Sequence, residues 1–72
     1  MGIHGAGQSI VDGTVMESLP NLQFKVKIFG NEVRCYISGK LLQNRIRINP
    51  GDNVRVTLSP DGRLGRIIWR IK

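Results

Sequence analysis

Apolar and polar residues alternate along most of the chain from Ser9 onward, and this period of two is typical of half-buried β-strands. Residues that favour turns interrupt the alternation and divide it into five predicted strands. The apolar positions of these strands are Val11, Gly13 and Val15; Phe24, Val26 and Ile28; Val33, Cys35 and Ile37; Val54, Val56 and Leu58; and Ile67, Trp69 and Ile71. The fifth predicted strand covers residues 63–71, and the alternation places Arg66 and Arg70 together on its other face.

The segments between the strands predict how the strands connect. Leu19-Pro20-Asn21 ends the first strand, and Gly30-Asn31 predicts a two-residue hairpin turn because both residues tolerate positive φ. Asn49-Pro50-Gly51-Asp52 and Ser59-Pro60-Asp61-Gly62 predict two further turns. Short connections keep consecutive strands adjacent, so we expect the second and third strands to form a hairpin.

Two features predict departures from a regular sheet. Gly13 lies inside the first strand, where a glycine suggests a β-bulge or a tight bend. Residues 38–47 lose the alternation, and Ser38 is expected to cap a short helical turn. Five short strands with one helical turn between the third and fourth predict an all-β fold. It is a small five-stranded Greek-key barrel of the OB-fold type, with an SH3-like barrel as the alternative.

The 72 residues are enough for one domain, which we place at residues 9–72. Residues 1–8 are rich in glycine and uncharged, and they predict a flexible N-terminal tail that includes the single histidine, His4. No apolar run approaches the roughly 18 residues of a membrane-spanning helix, and no charged segment followed by an apolar one marks a signal peptide. We therefore expect a cytoplasmic protein outside any membrane and, without a large apolar surface stripe, a monomer.

The charge is strongly positive and unevenly distributed. Eleven Lys and Arg stand against five Asp and Glu, a net charge of +6, and all but two of the cations lie in residues 34–72. Most of these are arginines, which bind phosphate bidentately and stack on flat rings. Nucleic acid is therefore the expected partner. An anionic membrane surface would also attract this charge, but it usually recruits a basic amphipathic helix, and we find none in the sequence.

Few residues can support catalysis or a bound cofactor. One histidine and one cysteine cannot form a zinc site of four ligands, and Cys35 has the parity of a core residue with no histidine to activate it. Asp52 and Asp61 lie in turn sequences, where hydrogen bonds to the backbone explain them. The sequence therefore predicts no enzyme activity, no metal, no cofactor and no small-molecule substrate.

The candidate RNA contacts occupy outward positions of the predicted strands and the connection after the third strand. They are Lys25, Lys27, Arg34, Tyr36, Lys40, Arg45, Arg47, Arg66 and Arg70. The cations are expected to pair with backbone phosphates and release their counterions, while Tyr36 and Phe29 offer flat faces for unstacked bases. Trp69 is open to two interpretations, packing at the rim of the barrel or stacking on a base.

Short groups of residues from about Ile10 to Arg70 follow the order and near-spacing of a known family. They are Gly13-Thr14-Val15, Glu17-Ser18-Leu19-Pro20-Asn21 and Phe24-Lys25-Val26, then Ile37-Ser38-Gly39-Lys40 and Asn44-Arg45-Ile46-Arg47-Ile48, then Pro50-Gly51-Asp52 and Gly65-Arg66-Ile67-Ile68. Together they resemble bacterial translation initiation factor 1, a family of OB-fold proteins.

The resemblance implies a non-catalytic protein that binds the small ribosomal subunit at the decoding (A) site, through ribosomal RNA and an adjacent ribosomal protein. It also implies that the protein blocks premature entry of tRNA and cooperates with initiation factors 2 and 3. Carried over by position, the best RNA contacts are Lys40, Arg47, Arg66 and Arg70. A general binder of single-stranded RNA, or an RNA chaperone of the S1 or cold-shock type, is the alternative. Such domains usually display several exposed aromatic residues on adjacent strands.

The chain departs from the family pattern in the middle of this surface. Leu42 and Gln43 occupy two positions that are usually basic, and Arg45 occupies a position that is usually aromatic. Trp69 stands where Phe or Tyr is usual. We expect these changes to alter the contact surface without removing its charge.

Overall fold

The alternating segments form five β-strands, and one short helix lies between the third and the fourth. β1 spans Ser9–Leu19, β2 Gln23–Ile28, β3 Asn31–Ile37, α1 Gly39–Gln43, β4 Asn53–Leu58 and β5 Leu64–Arg70. These elements come from a computed structural model, which describes residues 9–71. The predicted tail of residues 1–8, with His4, lies outside the described residues.

The strands close into a barrel in the order β1-β2-β3-β5-β4, with β4 pairing back onto β1. Neighbouring strands are antiparallel except β3 and β5, which run parallel. A parallel pair needs a long crossover between its strands, and α1 and β4 provide it. This topology confirms the predicted OB-fold barrel, with its helical turn between β3 and β4, over the SH3-like alternative.

Apolar side chains from all five strands and from α1 fill the interior of the barrel. The buried strand residues all lie at positions that the alternation predicts, and they are Val15, Phe24, Val26, Ile28, Val33, Cys35, Val54, Val56 and Ile67. α1 adds Leu41, which is completely buried, and the segment after the helix adds Ile48. Full burial of side chains of this size contributes roughly 1.5–3 kcal/mol each.

The β-bulge of β1 occurs at Met16 and not at Gly13. The register of β1 against β2 shifts between Val15 and Glu17, which leaves Met16 as the bulged residue, whereas Gly13 keeps regular pairing with β4. The bulge is therefore not at Gly13. β1 nevertheless changes from pairing with β4 to pairing with β2 at Thr14, next to this glycine, where the alternative prediction places a tight bend. A glycine in a strand also marks a close approach of two strands. Here an added Cβ at Gly13 would lie 2.6 Å from Cγ1 of Val26.

The β2–β3 hairpin turns one residue earlier than predicted. Ile28 pairs with Asn31, so the two turn residues are Phe29 and Gly30 rather than Gly30 and Asn31. Both turn residues have positive φ, 51° at Phe29 and 80° at Gly30, as a type I′ turn requires. Gly30 adopts this conformation freely, whereas Phe29 is a non-glycine residue in the left-handed region.

A second bulge, in β5, changes which residues face the solvent. Val56 of β4 pairs with Ile67 and Arg55 pairs with Trp69, so Ile68 is the extra residue. Paired residues share a face of the sheet, and Trp69 is therefore turned outward like Arg55, with 51% of its surface exposed. The prediction that Trp69 shares the inward face of Ile67 is wrong, and Trp69 does not belong to the core.

Hydrogen bonds from side chains fix two of the predicted connections. The hydroxyl of Ser38 caps α1 by accepting from the N–H of Leu41 (3.3 Å), as predicted. In the turn before β4, the carboxylate of Asp52 accepts from the N–H of Asn49 (2.8 Å). The carbonyl of Asp52 accepts from the N–H of Val15 (2.9 Å), which ties this turn to β1.

A carboxylate holds the β4–β5 turn. The hydroxyl of Ser59 donates to Oδ1 of Asp61 (2.6 Å), and the N–H of Arg63 donates to the same oxygen (3.0 Å). These two bonds hold the pKa of Asp61 below its usual value. Asp61 therefore stays ionised, and keeps both bonds, throughout the neutral range.

Replacing Gly65 by alanine tests the closest approach in the barrel. An added Cβ would lie 2.6 Å from Cγ1 of Val56 and 2.8 Å from Sγ of Cys35, inside a filled core. We expect Gly65→Ala to lower the free energy of unfolding by about 1–3 kcal/mol, measured by urea denaturation. Gly39→Ala is the matched control, because no atom lies within 4 Å of its added Cβ, and it should leave stability unchanged or slightly higher. Equal effects of the two substitutions would contradict the close approach.

Burial also makes the thiol of Cys35 unreactive. It raises the pKa of the Cys35 thiol from 9.0 to about 11. Because the pKa of the thiol is higher in the folded state than in the unfolded state, keeping the thiol protonated stabilises the fold. This stabilisation is complete below about pH 9 and is lost as the pH rises toward 11. At pH 8 we expect the native thiol to react with an aromatic disulfide reagent roughly a hundredfold more slowly than the chain in urea. Rapid labelling of the native protein would show that Cys35 is accessible.

Candidate nucleic-acid interface

The outward positions of β2, β3 and β5 form a surface that we call the basic face. Its members are Lys25 and Lys27 of β2, Arg34 and Tyr36 of β3, and Arg66 of β5. The strand register places them side by side, since Lys25 pairs with Arg34 and Tyr36 pairs with Arg66. The outward positions predicted for these residues are confirmed.

Tyr36 and Arg66 lie side by side at one end of the basic face. Cζ of Arg66 lies 5.7 Å from the ring centroid of Tyr36, within the range of a cation–π contact. Tyr36 still keeps 42% of its surface exposed. A shallow depression beside the pair is lined also by Thr57, Ser59 and Leu64. The pair therefore offers a planar ring and a positive charge together, which suits an unstacked base and its phosphate.

Lys25 is the member of the basic face that already has carboxylate partners. Its Nζ lies 3.6 Å from Oε1 of Glu17 on β1 and 3.8 Å from Oε1 of Glu32 on β3. Exposed pairs of this kind contribute little to stability. Two carboxylates beside one ammonium nevertheless make the local charge negative. We therefore expect Lys25 to attract phosphate less strongly than Arg34 or Arg66.

Lys27 lies at the other end of the basic face from Tyr36. In the sheet it pairs with Thr14 of β1 and Glu32 of β3. Lys27 is four residues along β2 from Gln23, which pairs with Tyr36. Because a strand rises about 3.3 Å per residue, the backbone of Lys27 is about 13 Å from that of Gln23. A ligand that contacts both residues must extend along the strands.

The remaining predicted cations lie at the end of the barrel where α1 packs, and we call them the helix-end group. They are Lys40, Arg45, Arg47 and Arg70. All four side chains are exposed. The N–H of Ser38 donates to the carbonyl of Ile67 (3.0 Å), which places the start of α1 next to Arg66 in β5. The helix-end group therefore begins where the basic face ends.

The prediction that Arg66 and Arg70 share one face of β5 is wrong. The bulge at Ile68 pairs Arg70 with Val54, a buried residue, so Arg70 leaves β5 on the inward side at the end of the strand. Its Nη1 donates to the carbonyl of Arg47 (3.0 Å). Arg70 therefore supports the segment after α1 as well as adding charge to it.

Each acidic residue of the chain has a local partner within residues 9–71. Glu17 and Glu32 flank Lys25, Asp12 lies 3.3 Å from Nε of Arg55, and the two aspartates of the turns accept hydrogen bonds there. The cations that have no ion pair within the same range are Lys27, Arg34, Lys40, Arg45, Arg47, Arg63, Arg66 and Arg70. The excess charge is therefore concentrated on the basic face, the helix-end group and the nearby Arg63.

Arg63 is a cation that sequence reasoning did not select. It lies in the connection before β5, is exposed, and directly precedes Leu64, the partner of Arg34 in β3. The sequence predicts Arg63 at the start of the fifth strand, and no motif there marks it as a binding residue. Only the parallel pairing of β3 with β5 brings it close to the basic face.

The structure also bears on metal binding and on membranes. Among residues 9–71, no group of three or more His, Cys, Asp or Glu side chains is placed to hold a metal ion. Within the same stretch, no helix has the length and apolar character needed to cross a membrane. The single cysteine, Cys35, is a free thiol in the core.

Solved structures include two proteins that are similar to this chain. The solution structure of translation initiation factor 1 from the Wolbachia endosymbiont strain TRS of Brugia malayi is 38% identical, with a TM-score of 0.73, and the match covers 92% of this chain and 80% of that chain. The crystal structure of YjeQ from Thermotoga maritima is 24% identical, with a TM-score of 0.76, over 89% of this chain and 23% of that chain. The second likeness shows the fold alone. No family model matches the sequence.

The barrel topology and the basic face define a small OB-fold protein with a cation-rich outer surface. The identity of 38% over nearly the whole chain narrows this class to one family. The chain belongs to the translation initiation factor 1 family. The resemblance carried by the residue groups at 37–40, 44–48 and 65–68 is thereby confirmed.

Proposed function

We propose that this chain is a translation initiation factor that binds the small ribosomal subunit at the decoding (A) site through ribosomal RNA. It occupies that site in the cytoplasm as a monomer, next to a ribosomal protein. It blocks premature entry of tRNA and cooperates with initiation factors 2 and 3. Membership of the initiation factor 1 family supports the role in initiation. The cations without ion pairs, which run from the basic face to the helix-end group, are the observation that supports RNA as the ligand.

The proposed mechanism is occupancy, without any change in covalent bonds. Lys and Arg side chains bind phosphate through charge-assisted hydrogen bonds and release counterions from the RNA. The Tyr36 ring and the Arg66 guanidinium add a planar contact on the basic face. Because strand pairing already positions both residues, little conformational freedom is lost when RNA binds. The bound barrel then excludes tRNA by filling the space that tRNA needs.

The second candidate is a general binder of single-stranded RNA, and the exposure of Tyr36 and Phe29 favours it. Their exposed fractions are 42% and 81%. Binders of this kind stack successive bases on several aromatic rings. The third large exposed aromatic residue in the described range, Trp69, lies beside Arg55 on the β4–β5 side rather than on the basic face. Two separated rings favour a site of defined shape over a continuous stacking platform.

Two double variants of equal charge test which cations bind RNA. Lys40→Ala with Arg47→Ala removes two cations without ion pairs, and Lys25→Ala with Arg55→Ala removes two that have carboxylate partners. We expect the first variant to weaken binding to purified small ribosomal subunits by roughly 10–100-fold, because two charge-assisted contacts to phosphate are lost. The second variant should weaken binding by less than about fivefold.

Fluorescence anisotropy at near-physiological salt measures both affinities, and circular dichroism verifies that both variants fold. Equal losses in the two variants would mean that only net charge matters, and the assigned contacts would then be wrong. Unchanged binding of the Lys40 and Arg47 variant would remove the helix-end group from the interface.

The salt dependence of binding counts the phosphate contacts. If about six phosphates of structured RNA are neutralised, the affinity should fall about a thousandfold between 50 and 200 mM salt. Lys40→Ala alone should reduce the slope of this dependence by about one, and Lys25→Ala should reduce it by less. Measurements at four or more salt concentrations give the slope directly. An affinity that does not change with salt would point to a barrel that binds only protein.

A further inference from the structure

The tip of the β2–β3 hairpin holds an aromatic residue in an unfavourable backbone conformation. Phe29 and Gly30 are the two turn residues, and both have positive φ. Asn-Gly is the sequence that suits a turn of this type best. Gly30 matches the glycine of that sequence. At Phe29, however, the left-handed region brings the Cβ too close to the following carbonyl oxygen. Strain of this kind persists where the surrounding structure enforces it, and it is concentrated at functional sites.

The packing of the fold does not explain a phenylalanine at this position. Phe29 keeps 81% of its surface exposed, more than Ile10 at 64% or Trp69 at 51%. It is also absent from the apolar residues that pack on or against the core. A polar turn residue would leave the described contacts of the barrel unchanged. The ring at the tip is therefore available to a ligand.

The position of the ring connects it with the basic face. Phe29 comes directly after β2, two residues beyond Lys27 of the basic face, and is the first residue of the turn. Ile28, the residue before it, ends β2 five residues from Gln23, the partner of Tyr36, which is about 17 Å in a strand. Tyr36 and Phe29 therefore stand at opposite ends of the β2–β3 hairpin, with the unpaired cations of these strands between them.

We propose that Phe29 is a stacking anchor that holds an unpaired RNA base at the tip of the hairpin. A phenyl ring stacks on any of the bases, and Lys27 and Arg34 lie where they can bind the adjoining phosphates. A protein partner would be recognised by a cluster of apolar side chains. The exposed residues that flank Phe29 in the sequence are instead polar or small, namely Lys27, Gly30, Asn31 and Glu32. The proposal deepens the proposed function and rests on it for RNA as the class of ligand.

Phe29→Asn separates the strain of the turn from the contact with RNA. Asparagine suits the turn, so we expect the melting temperature to rise by roughly 2–8 °C. Affinity for a short unstructured oligoadenylate that carries one 2-aminopurine should fall by about 5–100-fold, because one stacking contact is lost. A gain in stability together with a loss of affinity cannot result from misfolding.

Two further substitutions distinguish stacking from general apolar contact. Phe29→Trp keeps an aromatic ring and should bind the same oligoadenylate within about threefold of the unmodified chain. Phe29→Leu keeps an apolar side chain without a ring and should bind as weakly as Phe29→Asn. Quenching of the 2-aminopurine fluorescence should follow the same order, because it reports stacking directly.

Three results would overturn the proposal. They are an unchanged RNA affinity for Phe29→Asn, a full affinity for Phe29→Leu, and a lower melting temperature for Phe29→Asn. The first result would leave a protein as the ligand of the hairpin tip.

The test of the stacking anchor is independent of the test of the proposed function. The proposed function is tested by the binding of the Lys40 and Arg47 double variant to small ribosomal subunits. If the Lys40 and Arg47 double variant loses binding to small subunits while Phe29→Asn keeps its affinity for oligoadenylate, only the stacking anchor is rejected. Weaker oligoadenylate binding by Phe29→Asn, in a chain that fails to bind small subunits, supports the anchor and rejects the role in initiation.

Discussion

The parallel pairing of β3 with β5 closes the barrel, and it depends on a close approach at Gly65. Gly65 lies opposite Cys35, and an added Cβ would meet both its Sγ (2.8 Å) and Cγ1 of Val56 (2.6 Å). Only a residue without a side chain allows the three strands to approach this closely. The resulting register places Tyr36 beside Arg66 and brings the start of α1 against β5. The Tyr36–Arg66 pair of the basic face therefore exists because the core closes at this point.

The five strands are predictable from the chain because a half-buried strand repeats every two residues. The same reasoning fails at Met16 and at Ile68, where bulges insert an extra residue. A bulge is defined by pairing with a neighbouring strand, so the pattern along one strand does not contain it. The hairpin turn is displaced by one residue because Gly30 suits either central position of the turn, and only the pairing of Ile28 with Asn31 decides between them.

The sequence predicts which cations belong to the candidate site, but it does not predict which of them form ion pairs with neighbouring carboxylates. The outward positions on β2 and β3 follow from the alternation, and the family resemblance points to the segment around α1. Which cations are neutralised depends on the register of several strands. Lys25 meets Glu17 from one neighbouring strand and Glu32 from the other. Arg70 turns to the carbonyl of Arg47 because a bulge precedes it. The excess charge is therefore presented by fewer residues than composition suggests.

If the chain acts at the decoding site, it must occupy one defined place on the small ribosomal subunit. The most direct test is the binding of the labelled chain to purified bacterial small subunits at near-physiological salt, with unstructured RNA as competitor. We predict saturation at one copy per subunit, resistant to the competing RNA and lost when the decoding site is already occupied. Binding that the competitor removes in proportion to its mass would contradict a specific site, and it would identify the protein as a general RNA-binding barrel.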